Sequence, residues 1–541
     1  MKICMIVFNS GTRDGRVMRE AHSLRAAGHE VHVVGIPEPG SEPAREVQPD
    51  GVVVHRVDWA AVARRRMHRT AWLRLIPHAI LLAIIVALLG GWTALWRERF
   101  AFARLMSVPL YAAAVIGGAI ALLLLAWFGR RFALRTARRA RTAIIAAASG
   151  AFRRVWRAKN RKIRPWKAEG TSPGIGDEPF PVVRSKIPAW LPEYVLESAL
   201  ETFNWIGGRA GRFVLYRFRG DAVAKFVIAL KPDAVHCHDC IALPAGVQVK
   251  KALGISLVYD AHEIYEAAAA SRFGITDYYG RIHARFLPQV DGFVTINRCA
   301  AAYYRQAYPY LPPAAIVRNA TNSVDAFHYD GRLHDALGLP RETKILLYQG
   351  GFTRHRGLPT LIRSAALLPD GWVLVMMGWG PLKDELERIA AAEVPKEKLV
   401  FHPGVPREEL HLWSAAASAG VIPYENVVMN HWICSPNKLW EFPSAGVPII
   451  VQPFPELRDV VETYRCGWIL PEDFTPKAIA DVVASLSDDD ITQAREGCAR
   501  FIEADNWEAV YEKRLVAFYA TLTTRTAESP VTGALQYGHR S

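Results

Sequence analysis

The chain alternates short apolar runs with amphipathic stretches. Residues 3–8 are six consecutive apolar positions, which predict a buried strand; 11–15 read as a turn, 16–27 as an amphipathic helix closed by Gly28, and 30–36 and 51–57 as further strands. The alternation resumes with a helix at 221–230, a strand at 234–237, a helix at 245–253 and strands at 256–259, 292–296 and 315–318. It restarts after Gly331, with strands at 344–349, 372–377, 399–402, 419–423 and 448–452. Helices at 358–368, 382–392, 406–416 and 436–445 separate them. Strands alternating with helices predict parallel sheets, and two such series predict two doubly wound domains facing a cleft, with ligands at the carboxyl ends of the strands. Residues 507–522 read as a last amphipathic helix and the remainder as a disordered tail.

The first series is interrupted. Between Arg74 and Arg97 lie 22 residues without charge, and between Arg104 and Arg130 another 25. As helices they would reach about 33 and 38 Å, against a hydrocarbon core of about 30 Å. A two-helix transmembrane hairpin inserted in the first domain is the simplest expectation, with a re-entrant or a buried hairpin as alternatives. Arginines at 64–74 and the cations beyond Gly129 flank it, so the positive-inside rule would put both soluble parts at the cytoplasmic face of the inner membrane.

The 541 residues carry a net charge of +14. Fourteen Lys and Arg with no acid in 130–167, and eight Arg against Glu98 in 60–104, put +21 on 60–167 and leave −7 for the rest. The basic segment, interleaved with Phe152, Trp156 and Trp166, suits anionic lipid; RNA binding is the competing reading, and no nucleic-acid partner is expected. Residues 168–186, rich in Pro, Gly and Ser, are a linker. The N-terminus lacks a signal-peptide pattern. Seven scattered cysteines suggest reduced thiols, and His236-Cys237-His238-Asp239-Cys240 lacks the second ligand pair of a zinc site. No metal is expected.

Two segments carry chemistry. In Cys434-Ser435-Pro436-Asn437-Lys438-Leu439-Trp440-Glu441, Ser435 as N-cap and Pro436 at the first position would start a helix with free N–H groups. Lys438 adds a cation there for a phosphate, and Glu441 a carboxylate for a ribose diol. Gly350-Gly351-Phe352-Thr353-Arg354-His355-Arg356-Gly357 joins a strand to a helix with donors suited to a diphosphate.

With these motifs the chain resembles glycosyltransferase family 4, retaining nucleotide-sugar enzymes of the GT-B fold. The resemblance covers 1–57 and 215–522. It rests on Asp14-Gly15-Arg16-Val17 with Gly28-His29-Glu30-Val31, on 232–239, Val258-Tyr259-Asp260-Ala261-His262-Glu263, Val317-Arg318-Asn319, the 350–357 loop, 435–441 with 445–448, and 456–467. It implies an α/β fold of two Rossmann-like domains, here with the inserted hairpin. The N-terminal acceptor-side domain would take 1–59 and 168–330, the membrane segment 60–167, the nucleotide-sugar domain 331–505, a return helix 506–524 and the tail 525–541. It also implies a transferase of the EC 2.4 class with a donor site of Gly350, Gly351, Arg356, Ser435, Asn437, Lys438 and Glu441, and His262 and Glu441 as catalytic residues. Asp14, Arg16 and His238 would lie on the acceptor side. No cofactor is implied beyond the nucleotide-sugar donor, UDP-linked rather than GDP-linked, and the acceptor would be a lipid-linked glycan or a glycolipid. Two positions depart from the pattern: Ile433 stands where a glutamate is common, eight residues before Glu441, and Gly351 where an arginine is common. They leave open a non-catalytic scaffold in a membrane glycan-assembly complex, and a GT-B nucleotide-sugar epimerase is the other alternative.

Overall fold

The structure is a computed structural model that describes residues 1–12, 14–37, 43–58, 211–267, 275–322 and 329–527. By contact the chain divides into 1–59 with 166–541, and 60–165. The second unit lies outside the described residues.

The N-terminal sheet has eight strands: β1 Lys2–Ile6, β2 Glu30–Gly35, β3 Arg45–Val47, β4 Val53–Arg56, β5 Ala234–His238, β6 Ser256–Ala261, β7 Gly292–Thr295 and β8 Ala314–Ile316. Their order is β3-β4-β2-β1-β5-β6-β7-β8, all parallel except the β3–β4 pair. Helices α1 Gly15–Ala26, α2 Gly211–Leu230, α3 Leu243–Leu253, α4 Ile275–Phe286 and α5 Arg298–Ala307 accompany it. Central parallel strands are covered on both faces, so every residue of β5 and β6 is buried, polar ones included.

The C-terminal sheet is parallel throughout, with β9 Lys344–Gly351, β10 Trp372–Trp379, β11 Leu399–His402, β12 Ala419–Ile422, β13 Ile449–Val451 and β14 Gly467–Ile469 in the order β11-β10-β9-β12-β13-β14. Its longer helices are α6 Leu358–Ala365, α7 Lys383–Glu393, α8 Lys438–Ser444, α9 Pro455–Tyr464, α10 Pro476–Ala484 and α11 Asp488–Ala504. A π-helical turn, Trp507–Tyr511, leads into α12 Glu512–Ala527, which returns to the first domain. There the Trp507 indole donates to Ser23 Oγ at 2.8 Å, and Tyr519 pairs with His236 at 2.9 Å. The helix runs to Ala527, three residues into the expected tail.

The expected fold is corrected at one point. Among the described residues no helix is long and apolar enough to cross a membrane. The transmembrane hairpin, assigned to a segment outside the described residues, is therefore dropped, and the fold stands as two doubly wound α/β domains. The basic surface segment and the 168–186 linker also fall outside the described residues. Asp488, Asp489 and Asp490 open α11, where Ser487 and Asp490 make a reciprocal capping box that satisfies the first N–H groups. One smaller correction is local. Residues 406–416 form only a 3-10 turn and the short helix Leu410–Ser414.

Candidate functional site

The C-terminal domain offers cations. Gly350, at the end of β9, has φ +121°, and a Cβ there would lie 2.9 Å from Lys438 Nζ, so the glycine makes room for the lysine. Lys438 Nζ lies 5.2 Å from the Tyr348 ring and 5.7 Å from that of Tyr424, and the Arg356 guanidinium sits 4.0 Å over Tyr424. Among the described residues neither cation is ion-paired with a carboxylate. Burial works against the Lys438 charge, but the Tyr424 and Tyr348 hydroxyls and the Glu441 carboxylate outweigh it and raise its pKa. Glu441 accepts from Gln349 Nε2 at 3.1 Å, and Gln349 is itself fixed by Ser414 at 2.6 Å.

Ser435 is not the N-cap. The segment starts with a tighter Leu439 N–H to Pro436 carbonyl bond, and α8 begins two residues later than expected, at Lys438 with Asn437 as cap. The Ser435 hydroxyl donates inward to Glu456 at 3.3 Å, while its carbonyl accepts from Asn319 Nδ2 of the other domain at 2.8 Å. Asn297 Nδ2 likewise holds the Ile433 carbonyl at 2.7 Å, and Asn430 Oδ1 accepts from the Ile264 N–H at 2.9 Å. The Ile433 side chain is fully buried, so that position sends nothing into the cleft.

The N-terminal domain offers a buried ionic cluster. Asp14 caps α1 by accepting from the Arg16 and Val17 N–H groups. Arg16 is buried and bidentate to Asp260 at 2.8 and 2.9 Å, and it also donates to the Val317 carbonyl at 2.7 Å. Its Nε lies 3.1 Å from Glu20, whose carboxyl is raised by burial and by the Asp260 charge. Arg16 and the fully buried His238 both meet Asp260 inside the protein, His238 through Nδ1 at 3.3 Å, because burial favours partners for a guanidinium and an imidazole.

His262 stands above them. Its Nε2 is 2.9 Å from Asp260 Oδ2 and its Nδ1 3.2 Å from Asp239 Oδ1. Burial would lower its pKa, but the two carboxylates win and raise it to about 9. Sequence reasoning missed Asp239 and Asp260 as partners. The register that pairs His238 with Asp260 across β5 and β6 brings them to one strand end. Asp239 has φ +68° and ψ 152°, a conformation close to glycine-only that costs of order 1–3 kcal/mol. Nothing in the sequence signals that strain.

Glu20, His236, His238 and Asp260 each place one potential ligand atom within 4.8 Å of the others, all buried. Both Asp260 oxygens already serve Arg16, whose charge opposes a cation there.

Two doubly wound domains with cations on one wall of the cleft and a clamped histidine on the other form a GT-B fold of the glycosyltransferase class. The family described as Glycosyl transferases group 1 matches residues 331–505, and Glycosyltransferase Family 4 matches residues 193–323. The chain is 25% identical over 280 residues to a D-inositol 3-phosphate glycosyltransferase of Xylanimonas cellulosilytica, covering 49% of this chain and 65% of that one. It is 29% identical over 301 residues to a protein of the same name from Streptomyces avermitilis, covering 51% and 62%. The match thus spans a little under two thirds of each of these relatives. Among solved structures, sucrose-phosphate synthase of Thermosynechococcus elongatus aligns over 97% of this chain and all of its own, with a TM-score of 0.58 and 14% identity, which is a likeness of fold. Both matched domains are glycosyltransferase domains.

Proposed function

We propose that the chain transfers a sugar, with retention and without a metal, from a nucleotide-diphosphate donor, UDP-linked, to a hydroxyl acceptor. The observation that carries this reading is the pair Arg356 and Lys438. Two cations on one wall face tyrosine rings and, among the described residues, are ion-paired with no carboxylate; Glu441 lies nearby, and such a pair suits a diphosphate. As the sugar leaves, the pair stabilises the charge that grows on the diphosphate oxygens. Glu441 accepts hydrogen bonds from the ribose hydroxyls. His262 faces the transferred sugar, and the acceptor hydroxyl attacks from the side the diphosphate leaves, passing its proton to the departing phosphate oxygen. The relatives' printed acceptor, an inositol phosphate, is a small polyol. A lipid-linked glycan or glycolipid at the cytoplasmic face of the inner membrane is the acceptor we favour, supported by the fourteen cations of 130–167.

A thermal-shift panel of UDP- and GDP-sugars tests the donor: stabilisation by UDP-sugars that vanishes in Lys438→Ala is expected, and a Lys438→Ala protein stabilised like wild type overturns the donor site. Membranes incubated with the selected radiolabelled donor test the acceptor. Label confined to water-soluble products would remove the lipid acceptor.

A further inference from the structure

Resting on the reading of His262 as the group that meets the sugar, we propose that Asp239 is a positioning residue that clamps His262, trading backbone strain for a carboxylate on Nδ1 opposite the Asp260 carboxylate on Nε2. Three observations carry it. First, Asp239 occupies a near-glycine conformation, which glycine would adopt without strain if the turn alone mattered. The backbone there is held from both sides: its N–H donates to the Asp260 carbonyl and its own carbonyl accepts from Ala242, each at 3.1 Å. Second, the side chain does not serve the helical turn it precedes, since it makes no capping hydrogen bond. Its Oδ1 instead meets His262 Nδ1 at 3.2 Å and accepts from the Tyr265 hydroxyl. Third, the opposite clamp is immobile. Asp260 is buried and tied bidentately to Arg16, so an imidazole held by Asp260 alone could still pivot about that one bond, and Asp239 removes the pivot.

Both ring nitrogens then donate, which requires the imidazolium form. The groups around it are Asp14, Arg16 and Glu20 from α1, His236, His238 and Asp239 from β5 and its end, Asp260 from β6, and the neighbouring Glu263. Glu263 is raised by burial and by Asp239, against Arg356 of the other domain.

The test is acylation by diethyl pyrocarbonate, which attacks only unprotonated imidazole. The His262 and His355 peptides are followed by mass spectrometry at pH 7 in the full-length protein. With a pKa of about 9, about one His262 in a hundred is neutral at that pH. Wild-type His262 is expected to react far more slowly than the exposed His355. Asp239→Asn should raise the His262 rate about tenfold, the effect of removing one adjacent opposite charge, and leave His355 unchanged. Asp239→Gly should do the same while melting at or above the wild-type temperature, and it decides the matter if the Asn variant does not fold. His262 rates unchanged in the variants, or an Asp239→Gly protein that melts well below wild type, would overturn the clamp. His262→Ala with full transfer activity would instead sink the reaction-centre reading and leave the acylation result standing.

Discussion

The two walls of the cleft solve opposite electrostatic problems. On the N-terminal wall two cations are met by carboxylates: Arg16 by Asp260 and Glu20, His262 by Asp260 and Asp239. On the C-terminal wall Arg356 and Lys438 face tyrosine rings, with no carboxylate within ion-pairing reach among the described residues. The first wall pairs Arg16 and His262 within the protein and can hold a group in place. The second keeps two cations without an ion partner among the described residues, the proposed seat of the donor diphosphate. A cleft with both walls saturated would bind nothing charged, and one with both walls open would not fix an orientation.

The largest effect that separates the walls is expected from Arg16→Met. Removing one partner of a buried ion pair strands the Asp260 charge, at about 3–5 kcal/mol. Denaturant unfolding should show that loss, and a near-wild-type midpoint would mean that the cluster is not a unit. Lys438→Ala should do the reverse: fold normally and lose nucleotide binding by about 2–3 kcal/mol, a charge-assisted contact, in calorimetry with UDP. Equal stability loss in the two variants would erase the contrast.

The pH dependence is next. His262 has its folded pKa raised to about 9 from an ordinary 6.5, so its contribution is fully present below pH 6.5 and is lost as pH rises through 9. The melting temperature should fall across that window by the equivalent of at most about 3–4 kcal/mol, and Asp239→Asn should flatten the fall. A flat wild-type profile would show that the imidazole is not paired as drawn. The smallest effect is a control on the surface: Lys477→Ala breaks an exposed pair with Asp481 in α10 and should cost about 0.5 kcal/mol or less.

Much of this was legible in the sequence. The apolar runs at 3–8, 234–237, 344–349 and 372–377 mark central parallel strands, because such strands are buried on both faces and have little polar alternation to confuse them. The three-residue edge strands β3 and β14 carry no such run and were missed. The cations of the C-terminal wall are readable because they are contiguous in sequence, with Arg356 in one loop and Lys438 and Glu441 in one segment. The histidine wall was not: Arg16, Asp239, Asp260 and His262 are brought together only by strand order and register. Ser435 misled for a local reason, since its preference for capping lost to a buried carboxylate at Glu456.

The three amide-mediated bonds that hold residues 430–435 to the first domain, from Asn297, Ile264 and Asn319, have a mechanical meaning. Residues 430–435 are covalently part of one jaw but moored to the other. At about 1 kcal/mol per hydrogen bond, casting off all three costs about 3 kcal/mol, which leaves the open jaw populated below about one part in a hundred. Any ligand that needs a wide mouth to enter would have its arrival rate set by those moorings, upstream of the chemistry.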